Sequence, residues 1–464
     1  MNTAELAYQF RHALLRDAGY QLQLPGDRAR LHCFALAAIE ALAGGRPADV
    51  ERLTAGDEIP AHPTDSVAQE LASHACIAAH PVERLYRRRA ANFDTKQSRF
   101  DAAAAGWRNV ARLSGEEDRA EALRRAGDNA RYAGRVKESE QDLAQALSLA
   151  RSRGDRPCEA ATHYVRGRLF HETGRAEEAE QACAAATALH REAGDRRAEG
   201  DDVALLAALH RGSGRFDEAL RGYEKSLELH RAVGTRRLIA VASANLGSFL
   251  IQMGRASEAE PLHQEALEIF RELGNRAYEA MLLANRAMLL SPSGIGEDKE
   301  KTYARAIRLL REAGERRSEA VVLSALANDL CDAGRLEESE SAYHAALALH
   351  RDIGERRFEG ITLGNLAAVH QLLGREEEAE RSLRAAVAIH RETRNRQWEG
   401  THGCDLAIFL VRAGRSGEAR EPWQAASALL REIGSEKDLA QKTRRMAAVC
   451  REKGLPDIEN AEAM

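Results

Sequence analysis

Aromatic side chains are scarce in this chain: Phe, Tyr and Trp together make up 5 % of its 464 residues. With alanine abundant, that scarcity argues against a β-sandwich or barrel and favours closely packed helices. Positive charge is not in excess either. There are 67 Lys and Arg against 72 Asp and Glu, a formal net charge of −5, with the two signs interleaved. No broad cationic field exists to attract nucleic acid. No apolar run approaches the roughly 20 residues of a membrane span. The opening MNTAELAYQFRHALL lacks the charged-then-apolar order of a secretory signal. The seven cysteines (33, 76, 158, 183, 331, 404, 450) are odd in number, widely scattered and without a Cys-x-x-Cys pair. They read as reduced thiols of a cytoplasmic protein rather than a disulfide framework or a zinc knuckle. The Arg- and Ala-rich composition points to a GC-rich bacterial source.

What the chain does have is a repeat. Gly134, Gly174, Gly214, Gly254, Gly334, Gly374 and Gly414 each open a Gly-Arg segment, and all fall on one lattice with a step of 40 residues. Gly294 lies on the lattice too, in the degenerate stretch SPSGIGEDKEKT. A fixed period of this size decides the fold class before anything else does.

One period, residues 235–274, holds two apolar series. Ala242, Leu246, Leu250 and Met253 form one; Ala259, His263, Ala266, Leu267 and Phe270 form the other. Each marks one face of an amphipathic helix. Gly254 and Gly274 stand where a chain leaves a helix through a left-handed residue. The unit is therefore helix, glycine turn, helix, glycine turn. Acids fall in the first turn of the second helix (Glu178, Glu258, Glu338, Glu378) and arginines at its end (Arg191, Arg271, Arg351, Arg391). This layout suits the helix dipole, with the acids expected to face the free amides of the helix start. Ala146, Ala186, Ala266, Ala306, Ala346, Ala386 and Ala426 share one lattice position, with Ser226 the exception; Ala179, Ala219, Ala259, Ala379 and Ala419 share another. Positions held to alanine are expected where helix backbones approach closely.

The pattern resembles the tetratricopeptide repeat. Its marks stand here as Leu246-Gly247 and Leu250 in the first helix, then Ala259, His263 and Ala266 in the second. The step of 40 is longer than the family's usual repeat and is similar to that of kinesin light chains and bacterial signalling proteins, as are ANLG at 244–247 and GNLA at 364–367. The resemblance covers about residues 95–454. It implies an all-α fold, a right-handed superhelical solenoid of antiparallel helix pairs, whose first helices line a concave face.

Along the chain, 1–94 reads as a helical cap or divergent repeats, with helices at 3–17, 28–43, 47–54 and 66–79 and a Pro-rich loop at 58–66. Residues 66–92, interrupted by Pro81, are a candidate first helix for the earliest repeat. Residues 95–436 form the array, degenerate near 275–314. Residues 437–453 read as a closing helix, with a tail to 464.

Catalytic motifs are missing: there is no phosphate-binding glycine loop, no Gly-x-Ser-x-Gly and no His-Glu-x-x-His. His190, His230, His350 and His390 recur at one lattice position. Copies in neighbouring repeats stand about 10 Å apart, too far to share a zinc ion whose nitrogens lie at about 2.0–2.1 Å. No metal, cofactor or catalytic residue is expected. An enzyme built around His32, His62, His74 or His80 is the remote alternative.

Binding is the favoured reading. In the resembled family the position of Asn245, Asn285, Asn365 and Asp405, on the first helix, supplies ligand contacts. Arg168, Ser248, Gln252, Asn328 and Asp332 fall one or two turns further along the same face. Asparagine both donates and accepts, so a row of them can pair with the backbone of an extended peptide. At about 10 Å spacing the row meets every third residue of a strand rising about 3.3 Å per residue. Val165, Leu205 and Ala325 break the row. The expected partner is a protein or peptide segment in extended form, with no nucleic acid and no membrane. The expected role is a non-enzymatic scaffold or regulator, with a peptide-sensing switch as the alternative.

Overall fold

A computed structural model describes residues 24–49, 53–54, 58–290 and 297–455. Among these the chain is all-α, 21 helices packed as sequential antiparallel neighbours with no strand. It divides into two compact units, residues 1–129 and 130–464.

The first unit holds α1 (Pro25–Leu42), α2 (Ala68–Ile77), α3 (Glu83–Lys96), α4 (Phe100–Leu113) and most of α5 (Glu116–Tyr132). Pro81 does interrupt the 66–92 stretch: α2 ends at Ile77, and Ala79 turns the chain at φ 49°. The loop expected at 58–66 ends in a 3-10 turn, Pro63–Val67, capped by His62. Residues 47–49 and 53–54 are not helical, contrary to the sequence pattern, and the helix expected at 3–17 lies outside the described residues. Leu36, Leu71, Leu85 and Tyr86 form the core. Buried Glu40 is held there by the Arg46 fork at 2.7 and 2.9 Å and by the Tyr86 hydroxyl at 2.6 Å.

The second unit continues with α6 (Val136–Arg153), α7 (Arg156–Glu172), α8 (Ala176–Glu192), α9 (Arg196–Gly212), α10 (Phe216–Val233), α11 (Arg236–Gln252), α12 (Ala256–Glu272), α13 (Arg276–Leu290), α14 (Glu297–Ala313), α15 (Arg316–Asp332), α16 (Leu336–Asp352), α17 (Arg356–Leu372), α18 (Glu376–Glu392), α19 (Arg396–Arg412), α20 (Ser416–Glu432) and α21 (Glu436–Glu452). From α7 the odd-numbered helices are first helices of repeats and the even-numbered ones second helices. Among the described residues the lattice glycines stand in the left-handed region as expected, Gly294 lying outside them: Gly174 has φ 77°, and Arg175 N–H returns to the Phe170 carbonyl at 2.8 Å. That bond satisfies a carbonyl the helix end leaves free.

The alanine positions are contact points. Ala186, Ala266, Ala306, Ala346 and Ala386 are fully buried. Ser226, the exception, is equally buried and donates its hydroxyl to the Gly200 carbonyl at 2.9 Å. In the degenerate repeat Lys299 replaces the second lattice alanine. It is buried, and its Nζ lies 2.9 Å from Asp329, which also accepts the Tyr303 hydroxyl at 2.6 Å. Two polar intruders at apolar positions thus answer each other, as a buried charge requires.

The first-turn acids act differently from the sequence expectation. Glu258 lies in the first turn of α12, but no side chain caps that helix; instead Glu258 takes both ends of the Arg255 fork at 2.7 Å. A bidentate guanidinium–carboxylate pair outcompetes a single amide bond. The same arginine position also reaches the preceding repeat: Arg335 to Glu300 at 2.8 Å, Arg375 to Glu340 at 2.6 Å and Arg415 to Glu380 at 2.7 Å. A second ladder joins each second helix to the next first helix: Arg191–Glu199 2.7 Å, Arg271–Glu279 2.9 Å, Arg351–Glu359 2.8 Å and Arg391–Glu399 3.0 Å. The arginines of the second ladder are 43–71 % exposed, so each of its rungs contributes at most about 1 kcal/mol; the ladders chiefly set how one repeat sits on the next.

Candidate functional site

The asparagine row lies on the first helices α11, α13 and α17. Asn245 is exposed and Asn285 and Asn365 are half-buried. None of the three makes a side-chain hydrogen bond to a described residue, so their amides remain available to a ligand. Asp405, on α19, is different: the closing helix α21 engages it through Lys442 at 2.6 Å and Arg445 at 3.1 Å. Among the other candidates Gln252 and Asp332 are exposed and Ser248 is half-buried, 3.3 Å from His263 Nε2. Asn328 accepts the Tyr343 hydroxyl, and Arg168 donates to the Tyr132 hydroxyl at 3.1 Å.

Arg168 belongs to a seam that the period did not reveal. Within the second unit, early turns meet late ones. Gly134 faces Thr393 and Gly174 faces Ile433, the same separation of 259 residues, or about six and a half 40-residue steps. Ion pairs hold the seam: Arg135–Glu392 at 3.1 Å, Arg394–Glu140 at 3.4 Å, and Glu172 between Arg131 at 2.6 Å and Arg357 at 3.5 Å. Arg317 lies 5.0 Å from the Tyr132 ring centre and pairs with Glu355 at 2.7 Å. Burial works against the Glu172 carboxylate, but Arg131, Arg357 and Arg168 prevail and hold its pKa below the usual range. For Glu355 burial wins over Arg317 and raises it.

A signal for the seam was present in the sequence. Gly154, Gly194, Gly234, Gly274, Gly314, Gly354 and Gly434 occupy the second turn of their repeats in the left-handed conformation, but at 394 the residue is arginine, with φ 49°. A non-glycine residue there costs about 1–2 kcal/mol. A hollow of about 370 Å³ opens beside it, lined by Glu140, Arg175, Arg391, Arg394, Arg396 and Glu399 among others. A second hollow, of about 570 Å³, is lined by Arg271, Arg276, Glu279, Arg305, Arg308 and Glu312 among others. Neither is lined by the asparagine row.

The recurring histidines are packing residues with local partners. His190 Nδ1 lies 2.7 Å from Asp202, His350 stacks on Phe358, and His390 Nε2 lies 3.0 Å from His402 Nδ1. In the first unit His32 and His74 approach to 2.6 Å, whereas His62 is engaged with Thr64 and His80 with the Val82 amide.

A family model described as "Tetratricopeptide repeat" matches residues 202–272 and 318–392. These two stretches belong to the tetratricopeptide repeat family. The chain's array has the architecture of a protein-binding scaffold. No curated protein sequence matches it. Among solved structures it is similar to a Rap protein complexed with competence and sporulation factor, at 12 % identity, over 63 % of this chain and 81 % of that one, with a TM-score of 0.52. It is also similar to aspartyl phosphate phosphatase F from Bacillus subtilis, at 10 % identity over 64 % and 77 %, TM-score 0.49. A third is the Rap conjugation gene regulator of the plasmid pLS20 in complex with the Phr* peptide, at 13 % identity over 71 % and 95 %, TM-score 0.49. At these identities the likeness is one of fold. No helix among the described residues is long and apolar enough to cross a membrane.

Proposed function

We propose that the tetratricopeptide array is a non-enzymatic interaction module that holds an extended segment of a partner protein against Asn245, Asn285 and Asn365. The observation that carries this reading is the unspent hydrogen-bonding capacity of these amides on three of four consecutive first helices, Ala325 standing at the fourth. An amide pairs with peptide backbone whatever the partner's side chains. Asp405 contributes less, because α21 already neutralises it. Replacing all three asparagines by alanine is expected to weaken capture of the partner at least tenfold, at about 1 kcal/mol or slightly more per lost bond, with the thermal midpoint unchanged. Undiminished capture by a folded triple variant removes the mechanism.

A second reading is favoured by the seam: a peptide-sensing regulator in which binding alters how early and late turns meet. The similarly folded Rap protein was crystallised with the competence and sporulation factor, and the seam here is built from ion pairs rather than a broad apolar contact. Glu172→Arg places a third positive charge between Arg131 and Arg357. It is expected to raise the radius of gyration in small-angle scattering. An unchanged profile means the seam does not govern the array's dimensions.

A further inference from the structure

Histidines repeated at one lattice position stand too far apart to share a metal ion. Two others escape that limit. His370 stands where the same position carries Leu250, Leu330 and Leu410, and His344 where it carries Gln264, Ala304 and Arg384. They meet at Glu340, one turn before His344 on α16, with His370 reaching across from α17. Among the described residues these three offer ligand atoms that all lie within 4.8 Å of one another.

We propose that Glu340, His344 and His370 bind a zinc ion that braces α16 to α17. His370 Nε2 lies 3.3 Å from Glu340 Oε1, and His344 Nε2 lies 3.9 Å from the same oxygen. Ligands at about 2.0–2.1 Å around a tetrahedral ion stand about 3.3–3.4 Å apart, so the first pair already has the spacing. The His344 side chain, 59 % exposed, is free to close the rest by a small rotation. His370 is buried at 5 % exposure, and its other nitrogen, Nδ1, lies 3.5 Å from the Ser382 hydroxyl. That contact leaves Nε2 directed at Glu340, the outer support that metal-bound histidines use. Arg375 lies 2.6 Å from Glu340 Oε1. Zinc on that oxygen requires the carboxylate to turn its second oxygen toward Arg375 if the rung between repeats is to persist. Two imidazoles and one carboxylate leave the fourth position to water or to a side chain of a bound partner.

The lattice also points to this one place. His210 is the other histidine at the His370 position, and its neighbour Glu180 matches Glu340, but Ala184 stands where His344 would be. The third ligand is missing there.

The test is titration of the full-length, tag-free, metal-stripped chain with zinc chloride by calorimetry, together with thermal melting. One zinc per chain and a raised melting midpoint are expected. His370→Leu restores the lattice residue and is expected to fold with an equal or higher midpoint, while zinc affinity falls at least 100-fold. His344→Ala, at an exposed position, is expected to lose affinity similarly without a change in the metal-free midpoint. This second variant decides the matter if the first is poorly folded. Failure of the wild-type chain to take up zinc overturns the proposal, as does undiminished binding by His344→Ala; loss in both variants supports it.

Discussion

Between pH 6.5 and about 4.5 the protein is expected to lose stability steeply, by about 4 kcal/mol per pH unit at the steepest. Four buried histidines are responsible. Burial, helped by Arg166 and Arg151, pushes His163 down to about 4; burial, helped by Arg317, pushes His350 down to about 4. His390 is lowered by burial, by His402 and by Arg357, and His402 by burial and by Lys442. In the unfolded chain each of these imidazoles titrates near 6.5. Below that pH the unfolded state binds protons that the native state refuses. The stability these neutral rings contribute is therefore complete above pH 6.5 and is lost as the pH falls toward their folded values. Asp202 acts the other way, because burial raises its carboxyl to about 6 in spite of His190. Below pH 6 it binds a proton on folding, which leaves about three net protons rather than four. Denaturant titrations at pH 7.5, 6.5, 5.5 and 5.0 measure the slope. His350→Phe, which restores the residue seen at Phe270, is expected to flatten it by about 1.4 kcal/mol per unit. Equal stability at pH 7.5 and 5.0 contradicts this account.

Gly364→Ala is expected to cost about 3 kcal/mol, at the upper end of overpacking penalties. A methyl group added at Gly364 comes within 2.1–2.4 Å of three atoms of the His402 ring. That ring has nowhere to go: it is buried, with ring centres 5.1 Å from both Trp398 and His390. At equivalent positions the preceding repeats carry Ala244 and Leu282, Ala284 and Val322, and Ser324 and Thr362, the last pair with hydroxyls 3.4 Å apart. Here the small member has shrunk to glycine as its partner grew to histidine. Gly364→Ala combined with His402→Ala is expected to recover part of the loss, which thermal melts of the single and double variants measure. A Gly364→Ala protein as stable as the wild type is incompatible with the close approach.

Much of the array was legible because its causes are local. A glycine forced into the left-handed region at 254, alanines at 259 and 266 and an apolar face along 242–253 act within one hairpin, and a recurring period repeats the message. The asparagine row was visible for the same reason: equal lattice positions on equal helices share a face. The helix expected at 47–54 misled because the Gly45-Arg46 pair before it lies off the 40-residue lattice, with no repeat to support it. There Arg46 is spent on Glu40, and residues 46–49 form no helix. The reading of the first-turn acids erred for a related reason: sequence spacing places Glu258 near free amides, but it cannot tell that Arg255 offers a better partner.

By itself, then, the sequence determined the class of the fold, the length of its unit and the identity of its turns. The tertiary structure alone decided which residues meet across repeats: Gly364 with His402, Lys299 with Asp329, His370 with Glu340 and His344, and Glu172 with Arg357. The physical reason is the range of the interactions. Turns and amphipathic faces depend on neighbours a few residues apart, and the period multiplies their signal. The seam depends on the summed small rotation from one repeat to the next over 259 residues, and no short stretch of chain records that sum.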